Sequence, residues 1–197
     1  MSTNKILNDI NLSAKPYVIY KTSNGFDLFT DFSKKIILSN NNVTNFLETI
    51  SSNKKKIKKT DLYIGFFGYE LLNYLIGIKF PKQKTNFFPK GIFYKPETLI
   101  SLSENLSFKA LTTDKKNKQF KININRKNYT KIFNKFKRKI KQGETYQIKI
   151  CTKYKNKSKI DPLDFFCRLS KSNLAPEAFL IKDKNYSVIS CSPETLI

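Results

Sequence analysis

The chain has 197 residues and a mass of 23.0 kDa, and 40% of these residues are hydrophobic, which excludes a mainly disordered protein. Its 37 lysines and arginines outnumber 15 acidic residues, giving a net charge of +22 that is typical of nucleic-acid-binding or membrane-surface proteins. However, 34 of the 37 are lysines, and asparagine (20) and isoleucine (22) are also abundant. This bias indicates A/T-rich codons and disfavours a nucleic-acid partner, since phosphate recognition more often recruits arginine.

Histidine and cysteine usage limits the chemistry further. Histidine is absent, which removes the usual general base and zinc ligand. The three cysteines, Cys151, Cys167 and Cys191, are too far apart for a C-x-x-C site and indicate a reducing compartment. Residues 1–13 lack the apolar core of a signal peptide, and no stretch reaches the ~18 apolar residues of a membrane span. We therefore expect a cytoplasmic protein without a membrane partner.

The first half of the chain predicts a hairpin, a helix and a glycine-rich strand. Residues 16–32 alternate apolar and polar side chains around Ser23-Asn24-Gly25, which predicts a β-hairpin. Residues 40–50 predict a short amphipathic helix. Residues 62–69 predict a strand interrupted by two glycines and followed by a helix from Glu70. Residues 80–93 predict a loop, and residues 98–111 and 120–124 predict two strands joined by a lysine-rich loop.

The second half predicts two helices and three strands. Residues 128–141 predict the clearest helix, with a core-facing apolar stripe of Tyr129, Ile132, Phe133, Phe136 and Ile140. Residues 145–151 predict a half-buried strand, and Asp161-Pro162 predicts the start of a second helix, which runs to about residue 171. Residues 177–182 and 186–191 predict two apolar strands, which we expect to be covered by strands from beyond residue 197.

Four short motifs give the sequence its most specific signal. They are Y-I-G-F-F-G-Y-E (residues 63–70), I-K-Q-G-E-T-Y-Q-I (140–148), N-L-A-P-E-A-F-L (173–180) and S-P-E (192–194). In this order they resemble the chorismate-utilising enzymes. The resemblance implies an α+β fold, a two-sheet sandwich of antiparallel strands packed with helices. It divides the chain into an N-terminal region, residues 1–124, and the start of a chorismate-binding domain, residues 125–197.

Within the family, residues 173–180 and Glu70 resemble aminodeoxychorismate synthase component I more than anthranilate synthase component I, which usually reads N-P-S-P-Y-M. The resemblance implies amination of chorismate to 4-amino-4-deoxychorismate, for para-aminobenzoate and folate, with ammonia from a glutamine amidotransferase subunit. Anthranilate synthase is the alternative, and a non-catalytic chorismate-binding protein is another. A nucleic-acid-binding protein is less favoured, because the aromatics of residues 129–141 share one helical face, as core residues do.

The resemblance also indicates what this sequence lacks. The family's P-I-[KA]-G-T element, its two Mg²⁺-binding glutamates and the residues that grip the carboxylates of chorismate do not occur in residues 1–197. We therefore expect an N-terminal fragment that is inactive by itself, with Mg²⁺ held by sequence beyond residue 197.

Candidate site residues follow from the same motifs. Glu194 matches the family's active-site glutamate, which implies a general acid that protonates the departing 4-hydroxyl of chorismate. Gln147 and Ser192 are expected in the substrate pocket. Gly65 and Gly68 are interpreted as packing glycines, because no G-K dipeptide follows them to form a phosphate site.

A second group of residues matches positions where the family holds a tryptophan molecule, as a feedback inhibitor or a structural ligand. This group comprises Ser23, Phe26, Pro176, Glu177 and Ala178. The simpler interpretation is a turn and the start of a strand. Glu177 departs from the pattern, because the family usually has an aromatic residue there, and the L-x-S sequence expected before Ser23 is missing.

Overall fold

A computed structural model describes residues 2–52, 58–77, 88–110 and 119–192. The chain divides into two compact units: residues 1–110 together with 161–197, and residues 111–160. Most of the predicted 80–93 loop, the lysine-rich loop and Glu194 lie outside the described residues. The domain boundary at residue 124 stays a prediction.

The chain passes from the first unit into the second and then returns to the first. The first unit begins with α1 (Thr3–Leu12), β1 (Tyr17–Thr22), β2 (Gly25–Ile37), α2 (Val43–Ser52), β3 (Ile64–Phe67), α3 (Glu70–Leu75) and β4 (Gly91–Leu102). The second unit contains β5 (Lys121–Ile122), α4 (Arg126–Lys141) and β6 (Tyr154–Lys155). The first unit resumes with α5 (Pro162–Ser172), β7 (Glu177–Lys182) and β8 (Ser187–Ser192).

The first unit is built on one antiparallel sheet of six strands in the order β3-β4-β2-β1-β7-β8. Strand β7 pairs with β1, with Tyr20 opposite Phe179, and with β8 on its other side. The expectation that the last two strands need neighbours from beyond residue 197 is therefore wrong for β7, because β1 satisfies its backbone groups. Among the described residues, β8 is an edge strand.

Helices α1 and α5 pack on one face of the sheet. Leu7 of α1 and Leu163 and Phe166 of α5 are fully buried against Ile19 and Leu180. Asp161 caps α5 by accepting hydrogen bonds from the backbone N–H groups of residues 163 and 164, each at 2.9 Å. The predicted cap is confirmed, and so is the α+β fold class.

Two smaller clusters complete the first unit. Val18, Phe29, Ile92, Tyr94 and Ile181 are buried in a cluster that also contains Phe179 and Val188. Helices α2 and α3 contribute to the other cluster, which comprises Leu38, Val43, Phe46, Leu71 and Phe93. The apolar residues predicted for the 40–50 helix therefore do bury one helical face.

The structure departs from the sequence predictions at three elements. Helix α1 was not predicted, although Ile6, Leu7 and Ile10 form an apolar face that packs on the sheet. Strand β4 begins at Gly91, within the expected loop, and continues through Pro96. Residues 145–151 form no strand, and Tyr146 within them is 92% exposed. An extended segment without a paired neighbour is not a stable strand.

The second unit is dominated by α4. Asn125 caps this helix by accepting a hydrogen bond from the backbone N–H of Asn128 at 2.9 Å. None of the described residues 119–160 is buried, and Phe133 of the apolar stripe is 46% exposed. The helix is therefore confirmed, but the expectation that its stripe faces a core is not met within the described part of the chain.

Candidate functional site

The S-P-E motif begins at the last residue of the final strand in the described part of the chain. Ser192 is the final residue of β8, is half-buried and lies opposite Glu177 of β7. The side-chain amide of Asn173 donates to the backbone carbonyl of Cys191 at 3.4 Å. The start of β7 and the end of β8 therefore lie together, two residues before Glu194.

Glu177 is bound to the neighbouring strand through Tyr20. The Tyr20 hydroxyl donates a hydrogen bond to the Glu177 carboxylate, and this bond, with some burial, raises the pKa of Tyr20 to about 12. Side chains alternate along a strand, so Glu177 lies on the same side of β7 as Phe179, and Ala178 lies on the opposite side. Glu177 and Ala178 therefore contribute to different faces of the sheet.

Lys21, the residue after Tyr20, anchors the chain just before β7. Its ammonium group donates to the backbone carbonyl of Ala175 at 2.6 Å. Because Tyr20 and Lys21 are adjacent on β1, they project to opposite faces of the sheet. The segment from Ala175 to Glu177 is thus held by β1 on both faces.

A cleft of about 450 Å³ lies beside this segment. It is lined by the first hairpin (residues 21–23, 25 and 26), the chain after β4 (104–106), the end of α5 (170 and 171) and Leu174. The volume lies within the ~300–1,000 Å³ range of small-molecule pockets. Lys21, Lys171 and Glu104 give the lining charges of both signs, which suits a zwitterion such as a free amino acid.

Only two of the five residues predicted to hold tryptophan line the cleft. Ser23 and Phe26 line it, whereas Pro176, Glu177 and Ala178 are not among its lining residues. Lys21 and the three segments that complete the lining were not predicted. Leu174 lies within the 173–180 motif, but no motif indicated Lys21, residues 104–106 or the end of α5, because the sheet topology brings these separate parts of the chain together.

The glycine-rich element is a packing site. Gly65 lies opposite Phe93 on β4, and a Cβ atom added at Gly65 would lie 1.9 Å from the Ile92 carbonyl oxygen. At Gly68 the corresponding distance to the Lys90 carbonyl oxygen is 2.3 Å. The two glycines allow β3 and the turn after it to approach β4 closely. Their interpretation as packing glycines is confirmed.

The remaining candidates lie apart from this site or outside the described residues. Gln147 belongs to the second unit, in an irregular segment after α4, and its side chain is exposed. Within the described ranges, no Asp, Glu or Cys side chains cluster as metal ligands would, so these residues do not fit a Mg²⁺ site. No helix in those ranges is long and apolar enough to cross a bilayer.

The four motifs occur along this α+β chain in an order that resembles the chorismate-utilising enzymes. The sequence model of the chorismate binding enzymes matches residues 14–197, nearly the whole chain. The chain therefore belongs to the chorismate binding enzyme family.

Curated relatives carry a more specific name. Anthranilate synthase component 1 of Buchnera aphidicola subsp. Diuraphis noxia is 26% identical over 202 residues, which covers 84% of this chain and 38% of that protein. The protein of the same name from the subspecies Rhopalosiphum maidis is 27% identical over 185 residues, covering 76% and 35%. The chain thus spans less than two fifths of the length of these relatives.

Proposed function

We propose that this chain is part of a chorismate-aminating enzyme of the anthranilate synthase component I type. The observation that carries the proposal is that relatives of this name match 76–84% of the chain. The family match supports chorismate as the substrate. Ammonia from a glutamine amidotransferase subunit and Mg²⁺ held by sequence beyond residue 197 are parts of the same proposal.

Glu194 is proposed as the general acid of this reaction. Replacing a ring hydroxyl requires protonation of a poor leaving group, and a carboxylic acid at the end of a strand can supply that proton if its surroundings favour the neutral form. The position of Ser192 at the end of β8 supports the proposal, since Glu194 follows by two residues. Ser192 and Gln147 are proposed as substrate-pocket residues.

A second candidate is aminodeoxychorismate synthase component I. It is favoured by residues 173–180, N-L-A-P-E-A-F-L, and by Glu70 after Gly68-Tyr69. Both candidates begin from chorismate and ammonia, and they differ in the position of the new amino group. Identity of the product therefore separates them.

The test uses the reading frame that contains this chain, expressed to its stop codon and supplied with chorismate, ammonia and Mg²⁺. Anthranilate in the product mixture, identified by chromatography and mass spectrometry, is the expected result. 4-Amino-4-deoxychorismate would transfer the assignment to the second candidate. Unchanged chorismate with a protein that binds it would support a non-catalytic member of the family.

We also propose that the cleft beside Lys21 binds tryptophan. Ser23 and Phe26, two of the residues predicted to hold it, line the cleft together with charged groups of both signs. Titration calorimetry with L-tryptophan tests this directly, with Phe26→Ala as the variant that should weaken binding and D-tryptophan as the stereochemical control. Equal heats for the two enantiomers would contradict a specific site.

A further inference from the structure

Lys21 takes part in two features of the first unit at once. Its side chain lines the cleft, and its ammonium group donates to the carbonyl of Ala175 at 2.6 Å. Lys171 also lines the cleft but makes no hydrogen bond to residues 173–177 among the described contacts. Among the described contacts, the cleft therefore contains one lysine that is bound to the segment just before β7, Lys21, and one that is not, Lys171.

The segment held by Lys21 is connected to the end of β8. Asn173 donates to the Cys191 carbonyl, and Glu177 lies opposite Ser192. Residues 173–176 belong to no helix or strand, so only local contacts fix their position. A change in the Lys21–Ala175 hydrogen bond would therefore alter the contacts at the end of β8, which precedes Pro193 and Glu194 in the sequence.

We propose that Lys21 couples ligand binding in the cleft to the β7–β8 hairpin through its hydrogen bond to Ala175. We call this hydrogen bond the latch. A ligand carboxylate in the cleft competes with the Ala175 carbonyl for the ammonium group, and an ionic acceptor forms the stronger hydrogen bond. When Lys21 turns to the ligand, the Ala175 carbonyl loses its donor and residues 173–177 loosen. This inference rests on the proposed binding of an amino acid in the cleft, and it adds the route by which the ligand acts.

Hydrogen exchange of the purified chain tests the latch without any ligand. In Lys21→Met, amides in the peptide covering residues 174–179 should exchange about tenfold faster, since a lost charge-assisted hydrogen bond shifts the local opening equilibrium by roughly that factor. Lys171→Met removes the same charge from the same cleft and should leave this peptide unchanged. Lys21→Arg retains a charged donor and should restore slow exchange, which guards against a misfolded methionine variant.

The ligand arm uses L-tryptophan as the probe. In the wild type, saturating tryptophan should accelerate exchange of the same peptide, and in Lys21→Met it should add nothing. Slower exchange on binding, or a Lys21→Met rate equal to the wild-type rate, would overturn the latch. If calorimetry shows no tryptophan binding, both the proposed tryptophan site and the effect of the ligand on Lys21 are wrong. The comparison of variants without ligand would still test whether the Lys21–Ala175 hydrogen bond holds residues 174–179.

Discussion

The hydroxyl of Tyr94 donates a hydrogen bond to the carboxylate of Asp183, although the two residues are 89 positions apart in the sequence. Tyr94 lies on β4, and Asp183 is the first residue after β7. Lys35 of β2 donates to the same carboxylate oxygen at 2.7 Å, and the backbone N–H of Lys184 donates to the other oxygen. Three parts of the sheet thus meet at one carboxylate, which is only 4% exposed.

This carboxylate makes folding sensitive to acid. Burial by itself would raise the pKa of Asp183, but the hydrogen bonds from Lys35, Tyr94 and Lys184 outweigh it and hold the pKa below its ordinary value of 3.8. A pKa that is lower in the folded state stabilises the protein above pH ~4, and this stabilisation is lost as the pH falls through the folded-state pKa.

Asp183→Asn should therefore lower the free energy of unfolding at pH 7 by about 2 kcal/mol, the usual worth of hydrogen bonds to a charged group. Urea denaturation at pH 7 and at pH 3 measures this, and the difference between variant and wild type should shrink at the lower pH. Asp9→Asn, which removes the same charge from an exposed position on α1, serves as the control. An equal difference at both pH values would contradict the assignment.

Gly65→Ala should destabilise the first unit severely. The added methyl group would overlap the Ile92 carbonyl, which is backbone and cannot turn away, so β3 must separate from β4. Overpacking of this kind costs about 3 kcal/mol. Gly143→Ala is the comparison, since nothing lies within 4 Å of its new methyl group and only its positive φ of 76° adds strain, about 1 kcal/mol. Thermal unfolding of both variants should rank them in this order.

Glu194→Gln in the full reading frame should lower kcat by about 10²- to 10⁴-fold while KM changes little. Glutamine keeps the shape and hydrogen bonding of the side chain but cannot deliver a proton. Glu48→Gln, on the exposed face of α2, controls for loss of a carboxylate elsewhere. A kcat within a few-fold of the wild-type value would remove Glu194 from the mechanism.

Residues 1–197 alone should not aminate chorismate. The family elements that hold Mg²⁺ and the carboxylates of chorismate do not occur in this sequence, and the described residues cluster no carboxylates as a metal site. The measurement is product formation by the purified chain with ammonia and Mg²⁺, beside the full reading frame assayed at equal concentration. Steady turnover by residues 1–197 would disprove the prediction.

The sequence correctly predicted a turn and a helix cap, which depend on interactions between residues close together in the chain. Ser23-Asn24-Gly25 does connect β1 to β2, and Asp161 does cap α5. Pro89 and Gly91 favoured a loop and hid the start of β4, and the strand also continues through Pro96, although proline is normally excluded from central strands. The structure tolerates it opposite Phe32, next to a register shift in β2 where the regular ladder is interrupted.

Long-range pairing accounts for what the sequence could not show. Nothing in residues 177–182 indicates that their partner is β1, since an alternating apolar pattern fits many neighbours. The cleft depends on this pairing, because Lys21 and Leu174 meet only when β1 and β7 are adjacent. Motifs were therefore sufficient for the family, whereas the set of residues around the cleft required the sheet order.

The central place of β1 in the sheet has a consequence for synthesis on the ribosome. Tyr20 leaves the ribosome with its hairpin, but its partner Glu177 is 157 positions later, an interval on the order of ten seconds at ordinary elongation rates. During that time β1 exposes an unpaired edge of Val18, Ile19 and Tyr20. A nascent chain in this state is a natural client for chaperones, and slow codons before residue 177 would prolong its exposure to aggregation.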